Sequence, residues 1–319
     1  MKIGYTVPVF LAFLLLSLSA SAQNRTDSVT VTGQSPQTRT EIMRGFVRSY
    51  VAPSRLTGKL ARWVSPICPL VIGLQPDEKL AVRERIMKNA RSVGAPVAAR
   101  QDCRPNVIVV FAMNPQELTT KVIEERWNLG RTVFGDIDGR IHARKLSKIS
   151  SPLQAWYGTT VLDARNLPGS EESAYLDVSP YCWAAKCYAF EASNLNNGIK
   201  SVLSTVFVVV DLGKVSGRET GTIADYVTML ALSQTDAFAT CRNMPSVTNF
   251  LTQDCDANLK TAALSDADHA FLRGVYKTRG GDNINLAMGD IVREMEKSLP
   301  GRDVKVPAQP GSTASTPAK

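Results

Sequence analysis

Two histidines and six cysteines are the side chains of this 319-residue sequence best suited to bind a metal or attack a substrate. His142 and His269 lie far apart, so no helix can present both imidazoles on one face, which needs a spacing of three or four. A metal helix would be sought in IADYVTMLALSQTD, residues 223–236, after the apolar run SVLSTVFVVVDLG. At the spacing of two zinc-binding imidazoles and their general base, this stretch carries Ala224, Asp225 and Thr228. Alanine has no donor atom and threonine is a poor zinc ligand, so Asp225 has no metal-bound water to activate. No metal or other cofactor is expected. Asp225 instead reads as serving its own helix, three residues after Thr222 in a variant of the capping box.

Other chemistries find little support. GKVSG is not the G-x-S-x-G of a nucleophile elbow, and Ser216 reads as a loop serine. The carboxylate pairs at 124–125 and 171–172 are adjacent in sequence, so they do not face one another across a site. RGG at 279–281 lacks the Lys-Ser/Thr of a phosphate loop. His142, within GRIHARK, reads as a surface residue of a basic loop. An even number of cysteines argues for disulfides rather than a free nucleophile. The pairing with the shortest loops is sequential: Cys68–Cys103, Cys182–Cys187 and Cys241–Cys255. CWAAKC, with four residues between its cysteines, is neither a redox C-x-x-C nor a usual zinc pair. These absences leave enzyme activity open and lean against it.

The elements that must position these residues read as an α/β (α+β) protein, helices packed on a mixed sheet. EIMRGFVRSYVA places Ile42, Met43, Phe46, Val47 and Tyr50 at helical spacing before Pro53. ICPLVIGL reads as a short strand or a buried extended segment. PDEKLAVRERIMKNARSVG is a helix opened by Pro76 and Asp77, closed by Gly94, with Leu80, Val82, Ile86 and Ala90 on its apolar face. NVIVVFA is a buried strand, and NPQELTTKVIEERWN a helix with Asn114 as cap. A strand follows around Ala155–Leu162, then a long irregular insertion over 163–198. KSVLSTVFVVVDLG is the most apolar strand, expected near the sheet centre. Ile223, Tyr226, Val227 and Leu230 are expected to form the buried face of the next helix. SDADHAFLRGVYK is a helix capped by Ser265, and one further helix precedes the tail.

At the start, one lysine, an apolar block from Val7 to Leu18 and Ala20-Ser21-Ala22 form a secretory signal peptide, cleaved after Ala22. Residues 23–40 read as a flexible leader and 299–319 as a disordered tail, leaving one domain over 41–298 with a sub-boundary near 140–155. Asn24-Arg25-Thr26 is a formal glycosylation sequon. No later stretch is long and apolar enough to span a bilayer. The expected location is the bacterial periplasm or exterior. The net charge of +8 comes from basic residues spread along the chain, without polybasic runs, so nucleic-acid binding is not expected.

Strand, connector, IADYVTMLALSQTD, a cysteine-closed loop and LSDADHAFLRGVY together resemble the C-terminal half of zincin-like domains found in exported bacterial proteins. Leu230-Ala231-Leu232 matches the Leu-Gly-Leu of their metal helix. Leu264, Asp268, Leu272 and Tyr276 match a later helix, while the metal-ligand positions differ. The resemblance covers about residues 200–280. It implies a peptidase-like scaffold with an emptied site, acting by binding to envelope material or an envelope protein. On that analogy a cleft would run along 223–236 and the insertion, near Asp225, Tyr226, Thr228 and Trp183. DSVTVTG in the leader also resembles the short box by which outer-membrane receptors contact their energy-transducing partner, which would act by strand addition. Two other functions fit the same residues: a periplasmic hydrolase with a site beside the insertion, and a structural envelope protein.

Overall fold

The computed structural model describes residues 38–54, 57–100, 102–128, 148–163, 199–278 and 283–299. The expected signal peptide, residues 23–37 of the expected leader, residues 300–319 of the expected tail, His142, Trp183 and the expected Cys182–Cys187 pair lie outside these. Thr38 to Thr40, read as the end of the leader, instead cap and open the first helix, because Thr38 and Glu41 satisfy its first backbone N–H groups. Within the described residues the chain runs α1 (Arg39–Tyr50), β1 (Pro69–Ile72), α2 (Pro76–Ser92), β2 (Val107–Ala112), α3 (Pro115–Asn128), β3 (Leu153–Asp163) and β4 (Ile199–Asp211). It continues with a short α4 (Leu212–Val215), then α5 (Thr220–Leu232), α6 (Asp266–Lys277) and α7 (Ile284–Ser298).

The four strands form one mixed sheet in the order β1-β2-β4-β3. β1, β2 and β4 are parallel, in the registers Pro69↔Val107 and Val107↔Val206. β3 runs antiparallel to β4, Leu153 opposite Val210, with a register shift between Gly158 and Thr159. β4 is an interior strand, as its apolar run Val206–Val210 predicts. The period of two sorts side chains between the faces. Val71, Val107, Val109, Phe111, Val206, Val208 and Val210 face the main core with α1, α2, α5, α6 and α7. Trp156, Phe207 and Val209 form a smaller cluster on the opposite face, with Ile108 and Val110 against it.

α1 buries the five residues expected of it, and Thr38 and Glu41 close a capping box at its start. α2 begins at Pro76 as read, and Gly94 follows its last turn at φ +83°, the left-handed conformation that favours glycine. Its buried face is Val82, Ile86, Met87, Asn89 and Ala90. Leu80 does not belong to it and is 47% exposed. Two residues of helix turn it about 200° away from Val82.

Cys68–Cys103 and Cys241–Cys255 are disulfides, matching two of the three sequential pairings. Among the described residues no helix is long and apolar enough to cross a membrane. Gly73, which follows β1 at φ +92°, has no room for a side chain: a Cβ would lie 2.0 Å from the Phe111 carbonyl oxygen. Gly73→Ala is therefore expected to cost about 2–3 kcal/mol, from left-handed strain plus displaced backbone. A urea midpoint unchanged from wild type would contradict this.

Candidate functional site

α5 carries the residues that the sequence singles out, and all eleven positions from Thr222 to Leu232 are buried. A helix apolar on nearly every side belongs inside a protein. It starts three residues earlier than its Thr222–Asp225 spacing suggests, with Glu219 at the N-cap. Asp225 therefore lies in the second turn and does not cap. Thr222 turns instead to the Ala262 carbonyl, to which its Oγ1 donates at 2.7 Å.

Asp225 is 1% exposed. Its Oδ1 accepts from Arg85 Nε at 2.7 Å and from Asn89 Nδ2 at 2.7 Å. Its Oδ2 accepts from Arg85 Nη2 at 2.7 Å and from the Leu264 backbone N–H at 3.1 Å. A carboxylate has about four lone-pair sites, and four donors occupy them. While these bonds stand, Asp225 has no acceptor site left for a metal or a substrate proton. Thr228 Oγ1 donates to the Ala224 carbonyl at 2.8 Å and lies 3.4 Å from Asn89 Nδ2. α2 thus covers the face of α5 that holds Ala224, Asp225 and Thr228.

Tyr226 points elsewhere, towards the backbone at Ala239 and the charge of Arg242. Burial pushes its phenol up to about 12, with Arg242 opposing. His269, on α6, is half-buried. Burial and the Arg273 charge hold its imidazole below the usual value, while Asp225 and Asp266 pull the other way. The fold thus brings Asp225, Thr228 and the electrostatic reach of His269 together, and leaves Tyr226 on another side. Sequence reasoning missed Arg85 and Asn89. The signal was present: Asn89 interrupts the apolar stripe Val82–Ile86–Ala90, and Arg85 stands four residues before it.

The far end of α5 is fastened by three aromatic donors. Tyr157 Oη donates to Leu230 O at 3.0 Å, Trp63 Nε1 to Ala231 O at 2.8 Å, and Tyr276 Oη to Leu232 O at 3.0 Å. They satisfy carbonyls that the last turn of a helix leaves without partners.

A second buried polar cluster centres on Asp268, which is 0% exposed. Ser246 Oγ donates to it at 2.7 Å, the Val247 N–H at 2.9 Å and the Ser265 N–H at 3.0 Å. Tyr50 Oη lies 2.6 Å from Ser246 Oγ, and Arg242 sits 4.3 Å from the centre of the Tyr50 ring. The Ser265 cap is as read, with Asp268 completing a capping box. Burial pushes Asp268 up to about 6 despite its donors. Unfolded, the group titrates near 3.8. Between these values the native state keeps a proton that the unfolded chain has lost. Its contribution is therefore most favourable at acid pH and is lost as pH rises through about 6, by up to ~3 kcal/mol. The measurement is the stability of wild type minus that of Asp268→Asn, between pH 4 and 7. Wild type is expected to lose ground as pH rises, and a flat difference would contradict the shift.

Among the described residues no group of three or more His, Cys, Asp or Glu stands close enough to hold a metal. An open depression of about 650 Å³ lies along the outer side of α2, between that helix and Ala99. Asp225, Tyr226 and Thr228 do not line it; Arg85 does. Fold and site together define an α+β protein, disulfide-bonded, whose prominent helix is sealed in the core. Compared with known proteins, the chain matches no family model, no curated protein and no solved structure.

Proposed function

We propose that this chain is an exported zincin-like domain with an emptied metal site, which acts in the bacterial envelope by binding rather than hydrolysis. The observation that carries this reading is the state of α5. Ala224 and Thr228 stand at the ligand positions, and the carboxylate between them is saturated by Arg85, Asn89 and Leu264. The positions that carry the resemblance also support it by touching one another. Leu264 donates its N–H to Asp225, and Tyr276 holds the carbonyl of Leu232. Export is supported by the signal-like start of the sequence and by two disulfides, which persist in oxidising compartments.

The test is the metal content of the purified mature protein, by mass spectrometry after dialysis, with zinc, manganese, nickel and calcium offered. The expected result is no retained metal and no turnover of ester, peptide or glycan substrates. Near-stoichiometric zinc would overturn the reading and open a search for hydrolase activity.

A further inference from the structure

We propose that the depression along α2 is a binding site for a phosphate ester, anchored by Arg85. Four cationic side chains line it, Arg83, Arg85, Lys88 and Arg91, against one carboxylate, Glu84. Its two walls are fixed. One is α2 itself, held to the core by Val82, Ile86 and Ala90. The other is the segment at Ala99, beside Ala98, whose N–H donates to the Ile67 carbonyl at 3.1 Å.

Arg85 joins the surface to the interior. Its Nε–H and one N–H of Nη2 go to Asp225, while its side chain remains 41% exposed. Nη1 has no hydrogen-bond partner among the described residues. A guanidinium gripped along one edge by a buried carboxylate cannot swing away, so its other edge is presented in a fixed direction. Planar fork geometry suits phosphate, and a pre-ordered donor gives up less freedom on binding. Glu219 also acts on Arg85 and offsets part of its charge. Lys88 and Arg91 are exposed, lie on the same side of the helix, and form no ion pair among the described residues. They supply the additional positive charge that draws an anionic phosphate to the site. Leu80, 47% exposed beside them, gives the site an apolar margin. This deepens the binding reading above, and the two fail separately. Retained zinc would sink the emptied-site reading without touching phosphate binding, and absent phosphate binding would leave that reading standing.

The experiment is calorimetric titration of the mature protein with glycerol 3-phosphate. In parallel, co-sedimentation with phosphatidylglycerol vesicles is compared with phosphatidylcholine vesicles. Lys88→Ala/Arg91→Ala is compared with Arg44→Ala/Arg48→Ala, which removes the same charge from exposed positions of α1. The expected result is saturable binding that weakens by about tenfold or more in the α2 pair and much less in the α1 pair. Binding of the soluble ester identifies a free ligand, and binding of phosphatidylglycerol vesicles alone identifies a lipid headgroup. No binding in either arm, or equal weakening in the two pairs, overturns the proposal.

Discussion

Arg85→Ala is expected to destabilise the fold by about 3 kcal/mol, and Asp225→Ala by less. The asymmetry follows from where each partner is left. Without Arg85, a carboxylate that is 1% exposed keeps only Asn89 and the Leu264 N–H. Its charge then has no counter-ion. Without Asp225, the guanidinium, already 41% exposed, can turn to solvent, and only two neutral donors lose their acceptor. That exposure is also why the cost of losing Arg85 falls at the low end of the ~3–5 kcal/mol typical of broken buried pairs. Arg85→Met with Asp225→Leu, which removes both charges and keeps the branched shape at 225, is expected to recover most of the loss. The three variants are compared by urea denaturation at pH 7. A loss under ~1 kcal/mol for Arg85→Ala would mean that water reaches Asp225, against the burial described here.

Such a pair also marks the limit of what a sequence discloses. Periodicity and caps are local, so α1, α2 and α6 are legible from the chain alone, as are the starts of α2 and α6 and the three parallel strands; the Thr38–Glu41 capping box that starts α1 lies in a polar stretch that reads as leader. The cysteine spacing suffices for two disulfides because the shortest loops are the cheapest to close. Arg85 and Asp225 are 140 residues apart, and nothing in either neighbourhood names the other. The error at α5 has the same origin. Thr222 and Asp225 stand at capping distance, a local pattern, but the helix reaches back to Thr220, and both side chains found distant partners instead. Leu80 shows the converse case. An apolar residue near an apolar stripe is easily assigned to it, though the helix angle places it outside. Tyr157, Trp63 and Tyr276 come from three separate regions to hold consecutive carbonyls at the end of α5, and no spacing rule anticipates that.

Removing the Cys68–Cys103 disulfide is expected to cost about 4 kcal/mol, the value for closing a loop of its length in the unfolded chain. The two cysteines are 35 residues apart, against 14 for Cys241–Cys255, whose loss is expected to cost about 3 kcal/mol. Placement matters as much as length. The closed loop contains β1 and α2 and ends just before β2, so it is the whole crossover between two parallel strands. Parallel pairing needs distant segments brought together before any ladder bond repays the ordering. The disulfide joins them beside the first such bonds, where Cys68 O accepts from the N–H groups of Asn106 at 3.1 Å and Val107 at 3.3 Å. Cys68→Ala/Cys103→Ala should therefore lower the unfolding midpoint more than Cys241→Ala/Cys255→Ala. It should also speed amide exchange first along β1 and the start of β2. Slow exchange there, with a midpoint loss no greater than that of the shorter loop, would mean that the sheet holds the crossover without the bond.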